Sequence, residues 1–123
     1  MGKGGFKELR VWQKSKELAI EIYKITNAVG FKNDFSLRDQ IRRAVVSIPS
    51  NIAEGDERET DREAVRFFYI AKGSSAEVLT QAIIAHEIGY FNKDTFEQIE
   101  QKCMELSGML SKLISSRSKT FNL

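Results

Sequence analysis

His86-Glu87 opens like the helix of a zinc hydrolase, in which a second His four residues after the first completes the metal site and the Glu acts as base. Position 90 is Tyr, and His86 is the only His in the chain, so every two-His metal motif is excluded. A di-iron centre in a helical bundle needs Glu-x-x-His from two helices and falls on the same count. Gly73-Ser74-Ser75-Ala76 lacks the G-x-S-x-G pattern that exposes a nucleophilic Ser on a strand-to-helix turn. No G-x-x-x-x-G-K-[ST] phosphate loop occurs. Cys103 falls on an apolar seam and reads as a small buried hydrophobe, and His86 reads as a structural residue at the core edge. No catalytic residue, metal or cofactor is expected, and the chain does not read as an enzyme.

Binding chemistry has more support. Residues 3–16 hold Lys3, Lys7, Arg10, Lys14 and Lys16 against Glu8 alone. Arg38 and Arg42 lie one helical turn apart at the edge of an apolar stripe. Guanidinium groups make bidentate phosphate contacts. Lys7, Arg10, Lys14, Arg38 and Arg42 are therefore candidate nucleic-acid-binding residues; a solvated, solubilising face is the alternative reading. Arg43, Ser47, Ser50 and Glu54 form a second stripe, in which two small hydroxyls between opposite charges permit close approach by a helix or a phosphate. Further on, Ile70, Ser74, Glu77, Gln81, Ile84 and Ile88 share a face roughly 120° from the main apolar stripe of their helix. Ile84 and Ile88, with Ile20, are apolar surface suited to a partner, unless they belong to a core stripe that faces two neighbours. The candidate oligomer interface is thus Arg43, Ser47, Ser50, Glu54, Ile70, Glu77, Gln81, Ile84 and Ile88.

Four helical segments must position these groups. The first runs from about Lys7 to Val29 with Val11, Ser15, Leu18, Ala19, Ile22, Thr26 and Val29 on one face, and Gly30 is placed to end it in a left-handed conformation. The second starts at Ser36 with Asp39 as a capping-box partner and carries Leu37, Ile41, Ala44, Val45, Ile48 and Ile52 to a stop at Gly55. Pro49 lies inside it. A proline there costs roughly 3 kcal/mol in an ordinary helix interior, yet the apolar stripe continues across it, which predicts one kinked helix. The third begins with the capping box Thr60…Glu63 and runs to about Ile88, and the fourth runs from Asn92 or Asp94 to about Ser115 with Phe96, Ile99, Cys103, Leu106, Leu110 and Leu113 in heptad register. No segment alternates with strand periodicity. The expected fold is all-α, an antiparallel up-down-up-down four-helix bundle over residues 7–116, with a disordered N-terminal tail (1–6) and a C-terminal tail (117–123).

At 123 residues, 41% apolar and 29% charged, the chain is sized and composed for one globular domain. One Cys excludes an internal disulfide. No targeting segment or membrane span is visible, and a cytoplasmic location is expected. The net charge of +2 is too small to imply a nucleic-acid partner by itself.

The string Gln40-Ile41-Arg42-Arg43-Ala44-Val45-Val46-Ser47-Ile48-Pro49-Ser50-Asn51-Ile52-Ala53-Glu54-Gly55 resembles the signature of the bacterial four-helix-bundle proteins of 23S ribosomal RNA intervening sequences. Supporting matches are Leu9-Arg10-Val11-Trp12-Gln13-Lys14-Ser15, Arg66-Phe67-Phe68-Tyr69-Ile70-Ala71-Lys72-Gly73-Ser74, Glu77 with Thr80-Gln81, and Gly89-Tyr90. The resemblance implies a homo-oligomer, a pentamer as the best guess. It also extends to the accessory variability protein of diversity-generating retroelements, a basic oligomer that engages nucleic acid. Asp56-Glu57-Arg58 departs from the family's Gly- and aromatic-rich turn, and Leu79 stands where an acid commonly precedes Thr-Gln. The leading expectation is a non-enzymatic homo-oligomer associated with RNA or other nucleic acid. The alternative is an interaction scaffold whose arginines form inter-subunit ion pairs.

Overall fold

Apolar residues recur every three or four positions through most of the chain, and the structure, a computed structural model describing residues 5–121, is all-α. A 3-10 turn, Gly5–Glu8, precedes five helices: α1 Arg10–Ile25, α2 Val29–Asn33, α3 Phe35–Asp56, α4 Asp61–Glu87 and α5 Lys93–Ser118. Among the described residues there is no strand. The long helices pack in a cycle, α1 against α3 and α5, α3 against α4, and α4 against α5; among the described residues the backbones of α1 and α4, and of α3 and α5, do not come close. Leu18, Ile22, Ile41, Val45, Ile48, Ile52, Phe68, Val78, Ile99, Leu106 and Leu110 fill the space they enclose and are almost wholly buried. Each such side chain contributes about 1.5–3 kcal/mol by leaving water.

The helix termini differ in part from what the sequence predicts. α1 ends at Ile25, four residues early, because Thr26 is fully buried and turns its hydroxyl back onto the Ile22 carbonyl at 2.6 Å. Gly30 does not cap α1. It lies inside α2 with no positive φ, and a Cβ on it would meet the Tyr90 ring at 2.6 Å. Val29 also belongs to α2, and its side chain lies outside the described residues. The left-handed cap is at Gly89 instead, with φ 90°. There the Tyr90 amide donates to the Ala85 carbonyl at 2.8 Å and the Gly89 amide to that of His86 at 3.1 Å, the paired bonds of a Schellman motif. Asp34, not Ser36, caps α3 by accepting from the Leu37 amide at 3.1 Å, and Tyr90 donates to its other oxygen at 3.0 Å. Thr60 and Asn92 cap α4 and α5 as the sequence predicts.

α3 runs unbroken through Pro49 and past Gly55. Gly55 is buried in the crossing with α4, where a Cβ would sit 2.7 Å from Phe68 Cε1 and 3.0 Å from the Ala64 carbonyl oxygen, so it permits close helix approach rather than a stop. The expected tails are shorter among the described residues. Phe6 packs edge-on against Trp12 with ring centroids 5.1 Å apart, and Arg117, still within α5, reaches Asp56 at 2.9 Å and Asp61 at 3.3 Å. Residues 1–4 and 122–123 of the expected tails lie outside the described residues.

Candidate functional site

The five candidate phosphate-binding cations divide into two groups. Lys7 lies in the 3-10 turn that leads into α1 and Arg10 and Lys14 lie in its first two turns, while Arg38 and Arg42 lie near the start of α3, beside the far end of α1. α1, sixteen residues and about 24 Å long, runs from the first group to the second. Lys7 and Arg10 are exposed and make no ion pair among the described residues. Lys14 pairs with Glu105 of α5 at 2.6 Å and holds that carboxyl below its ordinary range. Arg38 reaches Asp39 at 3.4 Å and lies over the Phe35 ring at 4.8 Å.

Arg42 is committed to the fold. Its Nε donates to Thr26 Oγ1 at 2.8 Å, and one terminal nitrogen donates to Asn27 Oδ1 at 3.1 Å and to the Tyr23 carbonyl at 3.3 Å. The guanidinium carbon sits 4.6 Å from the centroid of the Tyr23 ring. A cation on the last carbonyls of α1 also opposes that helix's negative end.

The candidate interface residues are brought together more closely. Gln40, Arg43, Ala44, Ser47, Ser74, Glu77 and Gln81 line one cleft of about 240 Å³ between α3 and α4. Its floor is held by the Ser47 and Ser74 hydroxyls, 2.9 Å apart, and by Asn51 Nδ2, which donates to the Ser47 carbonyl at 2.8 Å and hydroxyl at 2.9 Å. Gln81 Oε1 is buried with no partner. Arg43 and Glu77 are exposed on the cleft and pair with nothing among the described residues. Ser50 is exposed, and Glu54 pairs with Arg58 one turn on at 2.6 Å, outside the cleft. Ile70 lines a separate hollow with Arg58, Glu63, Arg66 and Phe67. Ile84 and Ile88 are half exposed on α4.

His86 and Cys103 serve packing. His86 Nδ1 lies 3.0 Å from the Phe91 carbonyl oxygen and its ring stacks on Phe96. Cys103 is buried, which pushes its thiol up to about 11. Among the described residues no group of His, Cys, Asp and Glu is placed to hold a metal, and no helix is long and apolar enough to cross a membrane. Sequence reasoning missed Thr26 as the acceptor for Arg42, Asn51 as the strut under Ser47, and Tyr23 and Val46 as exposed apolar neighbours of Ile20. Asn51 and Val46 carried a signal, as part of the helix-two string.

The family model described as 23S rRNA-intervening sequence protein matches residues 7–112. The chain belongs to this family. Among solved structures, this 23S rRNA-intervening sequence family member is similar to a protein of unknown function from the S23 ribosomal protein family of Bacteroides thetaiotaomicron VPI-5482. The two are 25% identical, with a TM-score of 0.78 over 85% of this chain and 97% of that one. No curated protein matches the chain. The family match covers the whole of α1 to α4 and most of α5, so the cations at both ends of α1 and the α3–α4 cleft fall within it.

Proposed function

We propose that this 23S rRNA-intervening sequence family member is a non-enzymatic, cytoplasmic homo-oligomer that associates with RNA. The four long helices form an antiparallel up-down-up-down bundle, and five is the expected ring size. Assembly uses the α3–α4 face, and RNA meets the exposed cations at the start of α1. The observation that carries this reading is the α3–α4 cleft: Arg43 and Glu77 stand unpaired at its rim and a buried amide oxygen of Gln81 lacks a donor. A buried acceptor without a partner costs about 1–3 kcal/mol, so a surface that supplies one is stabilised on contact. Membership of a family described by its connection to 23S rRNA makes RNA the favoured nucleic acid.

Lys7 and Arg10 are the favoured phosphate contacts because they are exposed and unpaired, whereas Lys14 and Arg42 are already engaged. Those engagements favour a second reading, a protein scaffold with no nucleic-acid role. Light scattering and salt-dependent RNA retention on the purified protein separate them. The expected result is a mass several times 14.0 kDa together with RNA binding that weakens as salt rises. Lys7→Ala with Arg10→Ala is expected to reduce the log–log salt slope by about 0.7–0.9 per lost contact. An oligomer that retains no RNA at low salt establishes the scaffold reading, and a monomer sinks the assembly.

A further inference from the structure

α1 and α3 leave an open groove between them that the fold does not fill. Ala19, Ile20, Tyr23, Val46 and Pro49 line it, Lys16 and Lys24 stand at its rim, and it encloses about 480 Å³. Ile20 is 50% exposed, Tyr23 44% and Val46 40%. Pro49 presents a ring and no amide donor at that surface. Lys16 and Lys24 make no ion pair among the described residues; Lys16 lies over Trp12 instead.

The same chain carries a surface of opposite character. Ile84 and Ile88 project from the last turns of α4, 46% and 52% exposed. Glu87 lies between them in sequence and Glu77 lies two turns back, both exposed and both unpaired among the described residues. The other end of α4 is a poorer match, because Ile70 there shares its hollow with Arg58 and Arg66, whose charge would oppose the lysine rim.

We infer that the α1–α3 groove is the docking site for the Ile84–Ile88 ridge of a second copy of this chain, with Lys16 and Lys24 facing Glu77 and Glu87. This rests on the proposed homo-oligomer and says how its subunits join. The ridge does not fill the groove of its own chain: the groove is lined by α1 and α3 alone, and Ile84 and Ile88 stay half exposed. Groove and ridge are different surfaces, so the contact is heterologous. Each subunit then offers one free groove and one free ridge, and the chain of contacts closes as a ring or extends. Ile84 and Ile88 make the subunit contact through a partner's α1 and α3, and not through a second α4.

Complementation tests this directly. Ile20→Asp damages only the groove and Ile84→Asp only the ridge; both side chains are half exposed, so the single chain should fold, and circular dichroism checks that it does. Alone, each variant is expected to scatter light as a monomer near 14.0 kDa. Mixed in equal amounts, they should form a dimer of about twice that mass and no larger, since one intact groove and one intact ridge remain between them. A second pair, Lys16→Glu with Lys24→Glu and Glu77→Lys with Glu87→Lys, should each be monomeric alone; mixed, they regain opposite charges at both contacts and should assemble beyond a dimer, as should one chain that carries all four changes. Monomeric wild type defeats the homo-oligomer reading itself. Wild-type oligomer unchanged by Ile20→Asp defeats the groove alone, and monomeric variants whose mixture stays monomeric show an isologous contact and overturn the inference.

Discussion

Replacing Arg42 with Ala should unfold the protein more readily, and the size of the effect follows from its four contacts. Thr26 is fully buried, and its hydroxyl donates to the Ile22 carbonyl, so the Arg42 Nε proton is what satisfies its accepting side. A hydrogen bond to a charged donor is worth about 1.5–3 kcal/mol. The bonds to Asn27 and Tyr23 are solvent-exposed, and that to Tyr23 is long at 3.3 Å. An exposed cation–π contact adds about 0.5–1 kcal/mol, and a charge at a helix C-terminus about 0.3–1 kcal/mol. These share one guanidinium and do not sum, so the expected loss is about 2 kcal/mol.

Urea denaturation at fixed protomer concentration measures this, because oligomerisation makes apparent stability concentration-dependent. The midpoint should fall with the slope unchanged, and by interpolation between domain sizes Tm should drop by roughly 6–10 °C. Arg42→Lys keeps the charge but not the planar fork, and should recover less than half of the loss. A loss under about 0.5 kcal/mol with unchanged slope refutes the structural assignment. So does an Arg42→Ala protein of wild-type stability that binds RNA more weakly, which returns Arg42 to the phosphate-binding group.

Three further outcomes are expected. Cys103 is pushed up to about 11 by burial, so between about pH 9 and 11 the unfolded thiol has lost its proton and the folded one has not; stability should fall there by roughly 2–3 kcal/mol, and the difference from Cys103→Ala in pH-dependent denaturation isolates it, equal slopes counting against it. Gly55→Ala should cost about 1–3 kcal/mol, because the new methyl meets the Ala64 carbonyl as well as the Phe68 ring; a neutral result in thermal melts would mean the α3–α4 crossing relaxes freely. Arg117→Ala should cost about 3 kcal/mol by leaving the buried Asp56 carboxylate without its partner at 2.9 Å, whereas Arg117→Ala with Asp56→Asn should recover part of that loss in the same assay.

Periodicity made the long helices readable. The stripe through Ile41, Val45, Ile48 and Ile52 outweighs the local penalty of Pro49, and α3 is continuous there as the stripe predicts. The ends were less legible where a distant residue decides them. Gly30 and Gly89 each follow an apolar helical run, and one dimension offers no reason to prefer either as a left-handed cap. In the fold, Gly30 is claimed by the Tyr90 ring, sixty residues along the chain, and only Gly89 takes positive φ. Likewise Asp34 displaces Ser36 as the α3 cap because Tyr90 fixes its second oxygen. The stripe Arg43, Ser47, Ser50 and Glu54 was legible as a helix face, but helix spacing alone could not show that Arg58 draws Glu54 away while Gln40 and Ser74 complete the cleft.

The adjacent arginines show where sequence reasoning gains most from a fold. Consecutive residues on a helix point about 100° apart, so Arg42 and Arg43 must face different surroundings. In the sequence Arg43 shares its helix face with the acid Glu54, whereas Arg42 lies with Arg38 and has only Asp39 near it, which favours Arg42 as the unpaired, phosphate-binding member. The fold reverses that assignment of freedom. Its acceptors are neutral groups at the end of α1, a hydroxyl, an amide oxygen and a carbonyl, none of which registers in a count of charges. Arg43, read as the one with its own acceptor, is the one left unpaired, because Glu54 is taken by Arg58 and Glu77 lies across the cleft beyond pairing distance. The two substitutions are therefore separable: Arg42→Ala acts on the free energy of the single chain at any concentration, while loss of Arg43 from the proposed interface acts only where subunits meet and diminishes on dilution.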